Sequence, residues 1–560
     1  MAIKHLLTKI GESTRGKDYD SFYPRPSLVR DSFLSLNGEW EFSIKDIYTG
    51  TINVPFPPES LLSGVNMVYP DKTPLLYRRR FKIPNGFIKD RVILHIGAVD
   101  GLCSVYVNKQ MLGIHTGGYD HFSYDITEHL REENTITLEV IDTLGDYVMP
   151  YGKQTLKRGG MWYTRISGIW QSVWLESVPR DYIKSTKIDT GADFCKISFE
   201  GISSGEVILH LDTGDKIYPI INGFAKIKIE NPVLWSPENP HLYYFTAKSG
   251  RDSVKSYFAL RTLEIKEIDS IPRILLNGKP YFFNGVLDQG YFSDGIYTPA
   301  SPGEYENDIL AMKSLGFNTI RKHIKIEPEE FYYQCDRLGM IVFQDFVNNG
   351  KYSFIRDTAL PTILTKKYPE KWLKRTTAQK TEFIVSMKRA VNTVYNHPSV
   401  CYYTIFNEGW GQFDSDKTYF TLKEIDSSRI IDTNSGWFGG HQSDVSSEHI
   451  YFKKIKLKKS EKPIILSEFG GYSYKAKENS ANLKKTYGYK KFKNGEAFEN
   501  ALITLYENEV IPQIKNGLSG AIYTQLSDVE DETNGFLTYD RRVMKVNVDK
   551  VRAVMEKAKI

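Results

Sequence analysis

Residues 304–343 read EYENDILAMKSLGFNTIRKHIKIEPEEFYYQCDRLGMIVF. Ile309, Met312 and Leu315 recur at the spacing of one helix face, and Gly316 stands where a left-handed cap ends such a helix. Phe317 to Ile320 then reads as a strand. Pro328 to Leu338 is a second helix, with Phe331, Cys335 and Leu338 on one face, and Met340 to Phe343 is a buried strand. Strands joined by helices pair in parallel, because a helical crossover is what returns the chain to the same end of the sheet. The alternation recurs through Val400 to Phe406, Pro463 to Leu466 and Leu518 to Tyr523. Residues 266–560 carry it, a length suited to a (β/α)8 TIM barrel of ~250 residues.

Upstream the period changes to two. In Arg91 to Gly97, Val92, Leu94 and Ile96 share a face, and Cys103, Val105 and Val107 alternate in the same way before Asn108-Lys109 turns the chain. Glu139 to Ile141 and Val173 to Leu175 continue the pattern, so residues 1–179 read as one β-sandwich unit. Residues 180–265 form a second, with strands near Lys196 to Phe199, Val207 to Leu211 and Tyr243 to Ala247, and the length suits an immunoglobulin-like β-sandwich.

Composition removes several functions. Over 560 residues, 73 Lys and Arg face 68 Asp and Glu, an excess of +5 that is too thin to indicate a nucleic-acid or membrane-surface partner. No apolar run approaches the ~18 residues of a membrane span, and Met1 to Gly11 lacks a signal-peptide pattern. The expectation is a soluble, cytoplasmic protein. Cys103, Cys195, Cys335 and Cys401 are scattered without ligand spacing and read as buried thiols. The lysine-rich stretch Lys453 to Lys462 reads as a solvated loop.

Chemistry concentrates where two apolar strands end. Cys401-Tyr402-Tyr403-Thr404-Ile405-Phe406-Asn407-Glu408-Gly409-Trp410 places Glu408 at a strand terminus, and Pro463-Ile464-Ile465-Leu466-Ser467-Glu468-Phe469-Gly470-Gly471 does the same for Glu468. Barrel enzymes gather their catalytic groups at the C-terminal strand ends. Hydrolysis of a glycosidic bond with retention needs two carboxyl groups ~5 to 5.5 Å apart, one to protonate the leaving oxygen and one to attack the anomeric carbon. Two strand ends across one barrel mouth can supply them, and the chemistry alone leaves open which does which. Trp410, Phe413 and Phe469 are candidate sugar-stacking faces or, equally, core.

These segments resemble glycoside hydrolase family 2, which includes β-galactosidases and β-glucuronidases. The resemblance runs through Leu36-Asn37-Gly38-Glu39-Trp40-Glu41-Phe42, Val54-Pro55-Phe56-Pro57-Pro58-Glu59-Ser60, Gly97-Ala98-Val99-Asp100 and Gly117-Gly118-Tyr119. It continues through Ser167-Gly168-Ile169-Trp170-Gln171-Ser172-Val173-Trp174-Leu175-Glu176, Leu276-Asn277-Gly278-Lys279-Pro280 and Asn396-His397-Pro398-Ser399-Val400, and ends with Asn407-Glu408 and Ser467-Glu468-Phe469-Gly470. It implies a jelly-roll β-sandwich, an immunoglobulin-like β-sandwich and a C-terminal (β/α)8 TIM barrel. It also implies Glu408 as acid/base, Glu468 as nucleophile, and Asn407 as a hydrogen-bond partner of the sugar 2-hydroxyl. Arg321 and His323 match an Arg and His of the second barrel strand, although the family more often spaces them one residue further apart. As i and i+2 they share a face, and binding of neighbouring carboxylates is as good a reading as sugar contact. Tyr451, in Glu448-His449-Ile450-Tyr451, resembles the tyrosine that donates to the nucleophile. Asp288, His449, Trp410 and Gln525 complete the expected substrate-binding set.

Departures narrow the substrate. Leu287-Asp288-Gln289-Gly290 replaces a frequent Asn-Arg-His-Glu, Thr524-Gln525 replaces a Trp platform, and the Asn-x-Lys pair that holds a uronate is missing, with Glu532-Thr533-Asn534-Gly535-Phe536 in its neighbourhood. Asp528, Glu530, Asp531 and Glu532, read as a solvated loop rather than a cation site, would repel a sugar carboxylate. The expected activity is therefore a retaining exo-glycosidase acting on a neutral β-glycoside such as a β-galactoside, with no metal and no cofactor. A β-glucuronidase, or an arabinofuranosidase or galactofuranosidase on the same scaffold, is the alternative. A non-catalytic carbohydrate-binding protein is the alternative of another class, disfavoured by both carboxylates being present. Gly201-Ile202-Ser203-Ser204-Gly205 matches an esterase nucleophile elbow, but the strand-like residues after it read as a hairpin instead. The partner is a carbohydrate, and a homo-oligomer is left open.

Overall fold

Eight parallel strands form the C-terminal barrel in the computed structural model, which describes residues 4–359, 370–437 and 442–560. They are β1 (Phe283–Asp288), β2 (Thr319–Lys322), β3 (Ile341–Asp345), β4 (Val400–Asn407), β5 (Ile430–Ser435), β6 (Ser446–Ile450), β7 (Ile464–Gly470) and β8 (Leu518–Thr524). The hydrogen-bonded order runs β5-β4-β3-β2-β1-β8-β7-β6, with β5 and β6 adjacent but not joined by a ladder, so the barrel is nearly closed. Strands β5 and β6 are too polar to have stood out by apolar runs: they read IIDTNS and SSEHI. Elsewhere the expected strands shift by a residue or two. Strand β2 begins at Thr319 because Gly316 and Phe317 first close the preceding helix, Gly303–Ser314, with bonds to Lys313 and Met312 carbonyls, a Schellman ending.

Apolar residues divide between two sides of the strand ring. Phe283, Phe343, Tyr402, Ile465 and Ile522 pack at the closed end with Trp235 and the hairpin residues Ile274 and Leu276. Val286, Ile320, Val342, Leu466 and Ala521 face the helices, against Ile309, Met312, Phe331, Val391 and Val394. Burying apolar surface at ~25 cal/mol per Å² on both sides of each strand holds the ring and leaves its C-terminal rim for polar groups.

The N-terminal unit is a jelly-roll sandwich. A four-stranded antiparallel sheet (Phe33–Ser35, Val173–Val178, Arg91–Ile96, Phe122–Asp125) faces a seven-stranded one, and Trp40, Phe42, Leu94, Val105, Leu138 and Leu175 fill the space between. The immunoglobulin-like unit has seven antiparallel strands around Ile197, Val207, Phe245, Val254 and Phe258. Within it Gly201–Ser203 links Phe194–Glu200 to Ser204–Leu209, strands that pair with other neighbours and not with each other. The turn is thus no hairpin, but a strand follows it and no nucleophile elbow forms. The first residues strap the units together: Thr8 donates to Asp294 of the barrel through its amide and hydroxyl, and Val29 bridges Lys255. All four cysteines are buried free thiols, and Lys453, Lys454, Lys456, Lys458 and Lys459 are exposed.

Candidate active site

Arg321, fully buried at the end of β2, organises the barrel mouth. Its Nε donates to both oxygens of Asp345 on β3 (2.9 and 3.1 Å), Nη1 to the Ser467 carbonyl (2.9 Å) and Glu468 Oε1 (3.2 Å), and Nη2 to Asn407 Oδ1 (2.9 Å). One planar guanidinium thereby fixes the ends of β3, β4 and β7, a use of its fork that an ammonium could not reproduce. His323 bonds the same Asp345 at 2.8 Å. For Arg321 the carboxylate-binding reading prevails, and the Asn407 carbonyl is taken, which leaves that side chain its amide donor.

Strict alternation along β7 would put Glu468 on the helix side with Ile464 and Leu466. The register of β7 against β8 shifts between Leu466 and Phe469, and this irregularity turns Glu468 inward. There it accepts from Tyr451, which also contacts Thr524 and stacks on Tyr489 at 3.9 Å. Glu408 follows β4 in a left-handed conformation (φ 52°), with its amide bonded to the Ser435 carbonyl on β5. A non-glycine residue held at positive φ is strained, and such strain gathers at functional sites.

His449 on β6 links the two acids. Its Nδ1 is 2.8 Å from Glu408 Oε1 and 3.7 Å from Glu468 Oε2, while Nε2 is 3.0 Å from the Ser435 hydroxyl. Gly436 makes room for the ring, since a β-carbon there would come within 2.8 Å of Nδ1. One oxygen of each glutamate and one nitrogen of His449 lie within 4.8 Å of one another. Such a trio could cradle a metal ion, but its imidazole Nδ1 already serves Glu408.

Electrostatics separate the carboxylates. Burial opposes the charge of Glu468, but His449 and Arg321, then His323 and the Tyr451 hydroxyl, outweigh it and hold the carboxyl well below its usual range. Burial likewise opposes a charge on His449, yet Glu468 and Glu408 raise its pKa above the ordinary imidazole value. Glu468 is thus an anchored anion with 6% of its side chain exposed, whereas Glu408 has 18% exposed toward the opening.

Three expected substrate contacts are otherwise engaged. Asp288 accepts from Lys322 with one oxygen and from the Gly290 amide with the other. Gln525 is enclosed between Gln289 (2.8 Å) and Asn534 (2.9 Å). Trp410 is 3% exposed, donates to the Gly350 carbonyl and packs against Tyr151 and Trp162; Phe413 and Phe469 are also core. Apolar rings beside the strand ends are covered here by loops that the local sequence does not announce.

The acidic segment after β8 is buried, not solvated. Asp528 pairs with Lys545 (2.7 Å), Glu530 and Asp531 with Arg158 (3.0 and 2.9 Å), and Glu532 accepts from Tyr163. Burial pushes Asp528 up to about 6 against the pull of Lys545. Arg158, Trp162 and Tyr163 belong to the jelly-roll unit, so residues 151–163 form one wall of the barrel mouth. Sequence inspection missed them because their partners lie hundreds of residues away; their one local signal is the Met161-Trp162-Tyr163 cluster in a polar stretch.

The barrel matches the description "Glycosyl hydrolases family 2, TIM barrel domain" over residues 267–559. The chain belongs to glycosyl hydrolase family 2. The family's sugar binding domain matches 48–179 and its central domain 194–261. A putative β-glucuronidase of Formosa agariphila is 26% identical over 79% of this chain and 57% of its own length. The β-glucuronidase of Felis catus is 25% identical, over 84% and 82%. The chain spans 39% to 57% of the length of several curated relatives, a β-galactosidase of Thermoanaerobacter pseudethanolicus among them. Among solved structures, a β-D-glucuronidase of Dictyoglomus thermophilum shares the fold with a TM-score of 0.74 at 18% identity, over 96% of this chain and 98% of that one. A β-galacturonidase of Eisenbergiella tayi bound to galacturonate has a TM-score of 0.70 at 18% identity, over 96% and 99%. No helix among the described residues is long and apolar enough to cross a membrane.

Proposed function

We propose that this family 2 member is a retaining exo-β-glycosidase, with Glu468 as nucleophile and Glu408 as acid/base. The observation that carries the reading is the separation of the two carboxylates, whose nearest oxygens lie within 4.8 Å and suit double displacement without an intervening water. The held anion, Glu468, attacks the anomeric carbon. The more exposed Glu408 protonates the departing oxygen and then takes a proton from water. Asn407, fixed by Arg321, donates its amide to the 2-hydroxyl, and Tyr451 steadies the nucleophile until its carboxylate charge is spent.

Exo action is supported by the wall of residues 151–163, which the Tyr163–Glu532 and Arg158–Asp531 contacts tie to the β8 loop on one side of the barrel mouth. The expectation of a neutral sugar had two supports. The missing Asn-x-Lys pair stands; the repulsion is reduced, since Lys545 pairs with Asp528 and Arg158 is shared by Glu530 and Asp531, while Glu532 has hydrogen-bond donors and no ion pair among the described residues. We also propose domain divisions at residues 179/180 and 265/266.

Incubation with a 2-deoxy-2-fluoro-β-glycosyl fluoride should leave a stoichiometric adduct that peptide mass mapping finds on Glu468. Proton NMR should show the β-anomer as the first product. An inverted first product, or an adduct elsewhere, removes this assignment.

A further inference from the structure

Lys153 lies on the jelly-roll wall over the barrel mouth, and its backbone is pinned there. The Tyr151 amide donates to the Asn348 carbonyl (3.1 Å) and the Tyr151 hydroxyl to that of Gly350 (2.9 Å). The Lys153 carbonyl accepts from the Tyr163 amide at 3.0 Å. Gly152 approaches the barrel so closely that a β-carbon would stand 2.8 Å from the Ile324 carbonyl oxygen, one residue past His323. These contacts fix the Lys153 backbone, from which its side chain extends, relative to the barrel.

The neighbouring cations are committed. Arg321 serves Asp345, Glu468 and Asn407; Lys322 serves Asp288 and Glu327; Lys325 serves Glu327; Lys545 serves Asp528; Arg158 serves Glu530 and Asp531. Half-buried Lys153 differs. Its Nζ is 5.4 Å from the centroid of the Trp162 ring, itself packed on Trp410, and no acceptor among the described residues takes a hydrogen bond from it. Its charge lowers the pKa of both His323, just past β2, and Glu532, on the β8 loop, so it lies within electrostatic range of both. On that side Gln289, 6% exposed, presents an amide oxygen with no partner while its nitrogen holds Gln525. An ammonium anchored through its backbone and without a hydrogen-bond acceptor in a polar wall is incomplete: leaving it unpaired costs free energy that an incoming anion would recover, whereas the Gln289 oxygen, itself an acceptor, suits a sugar hydroxyl.

We propose that Lys153 reads an anionic substituent on the bound sugar, a uronic carboxylate or a sulfate ester, and makes anionic glycosides the preferred substrates. The inference rests on the glycosidase reading above and names its substrate class. Here anion selectivity comes from the jelly-roll unit, in place of the missing Asn-x-Lys pair. Lysine offers a point charge, compatible with either carboxylate or sulfate.

The test compares kcat/KM on p-nitrophenyl β-glucuronide, β-galacturonide, 6-sulfo-β-galactoside and β-galactoside for the wild type, Lys153→Met and Lys153→Arg. The wild type should prefer one anionic substrate over the β-galactoside at least tenfold, and which one identifies the group. Lys153→Met should lower that ratio at least tenfold, and Lys153→Arg should restore most of it. Calorimetric binding of glucuronate, galacturonate and galactose 6-sulfate gives a readout independent of turnover, with affinity lost in Lys153→Met. A wild type that cleaves the β-galactoside best, or a Lys153→Met enzyme with an unaltered ratio, overturns this proposal and leaves the glycosidase reading intact. Absence of hydrolysis and of any trapped adduct defeats the glycosidase reading; anion binding that Lys153→Met does not weaken then defeats this one too.

Discussion

The barrel mouth holds two acidic clusters, and they behave in opposite ways. Glu408 and Glu468 share the His449 imidazole, and the Arg321 guanidinium adds to Glu468 alone, leaving Glu408 partly open and Glu468 charged. On the loop after β8, Asp528 has Lys545, Glu530 and Asp531 share Arg158, and all three are closed to solvent. The first cluster keeps its anion at Glu468 and leaves Glu408 partly exposed; the second ties the jelly-roll and barrel together. Acidic residues in sequence therefore say little about the field a substrate meets, which depends on whether each charge is answered inside the protein.

The comparison is broken most severely at Glu468. Glu468→Gln is nearly isosteric and should reduce kcat by at least ~10³-fold, about 4 kcal/mol of transition-state stabilisation, with Tm little changed. Retained turnover would return Glu468 to the structural class of its neighbours on the β8 loop. Glu408→Ala should slow substrates with poor leaving groups by ~10² to 10⁴-fold and activated aryl glycosides far less, with azide restoring turnover on the latter. Equal losses across leaving groups, without azide rescue, would count against its role.

On the structural side, Lys545→Met strands the Asp528 carboxylate. Unfolding should become easier by ~3 to 5 kcal/mol, read from denaturant titration, because a buried charge loses its partner. A matching Asp528→Asn change should recover part of the loss, whereas independent additive effects would show that the pair is not coupled. The smallest effect is a displacement of the pH profile. Glu468 is held below the usual carboxylate range, so it stays ionised as pH falls past the point where ordinary carboxylates protonate, and the acid limb of kcat/KM lies low. His449→Gln removes a cation, raises the Glu468 pKa and should move that limb upward by about one pH unit. An unmoved limb would make His449 a spacer rather than a positioning residue that acts through charge.

Much of this was legible in the chain itself. Helical and strand periods change near residue 266 because sandwiches bury one face of each strand and a barrel buries both, and Asn407-Glu408 and Ser467-Glu468 mark strand ends whatever packs around them. Tertiary structure alone decided which acids were free. The irregularity that turns Glu468 inward, the burial of Trp410, the buried β8 loop and the anchoring of the Lys153 backbone against the barrel all depend on contacts between segments far apart in sequence. Local pattern reports periodicity and charge, but a side chain's solvation and partners are set only when distant segments close over it.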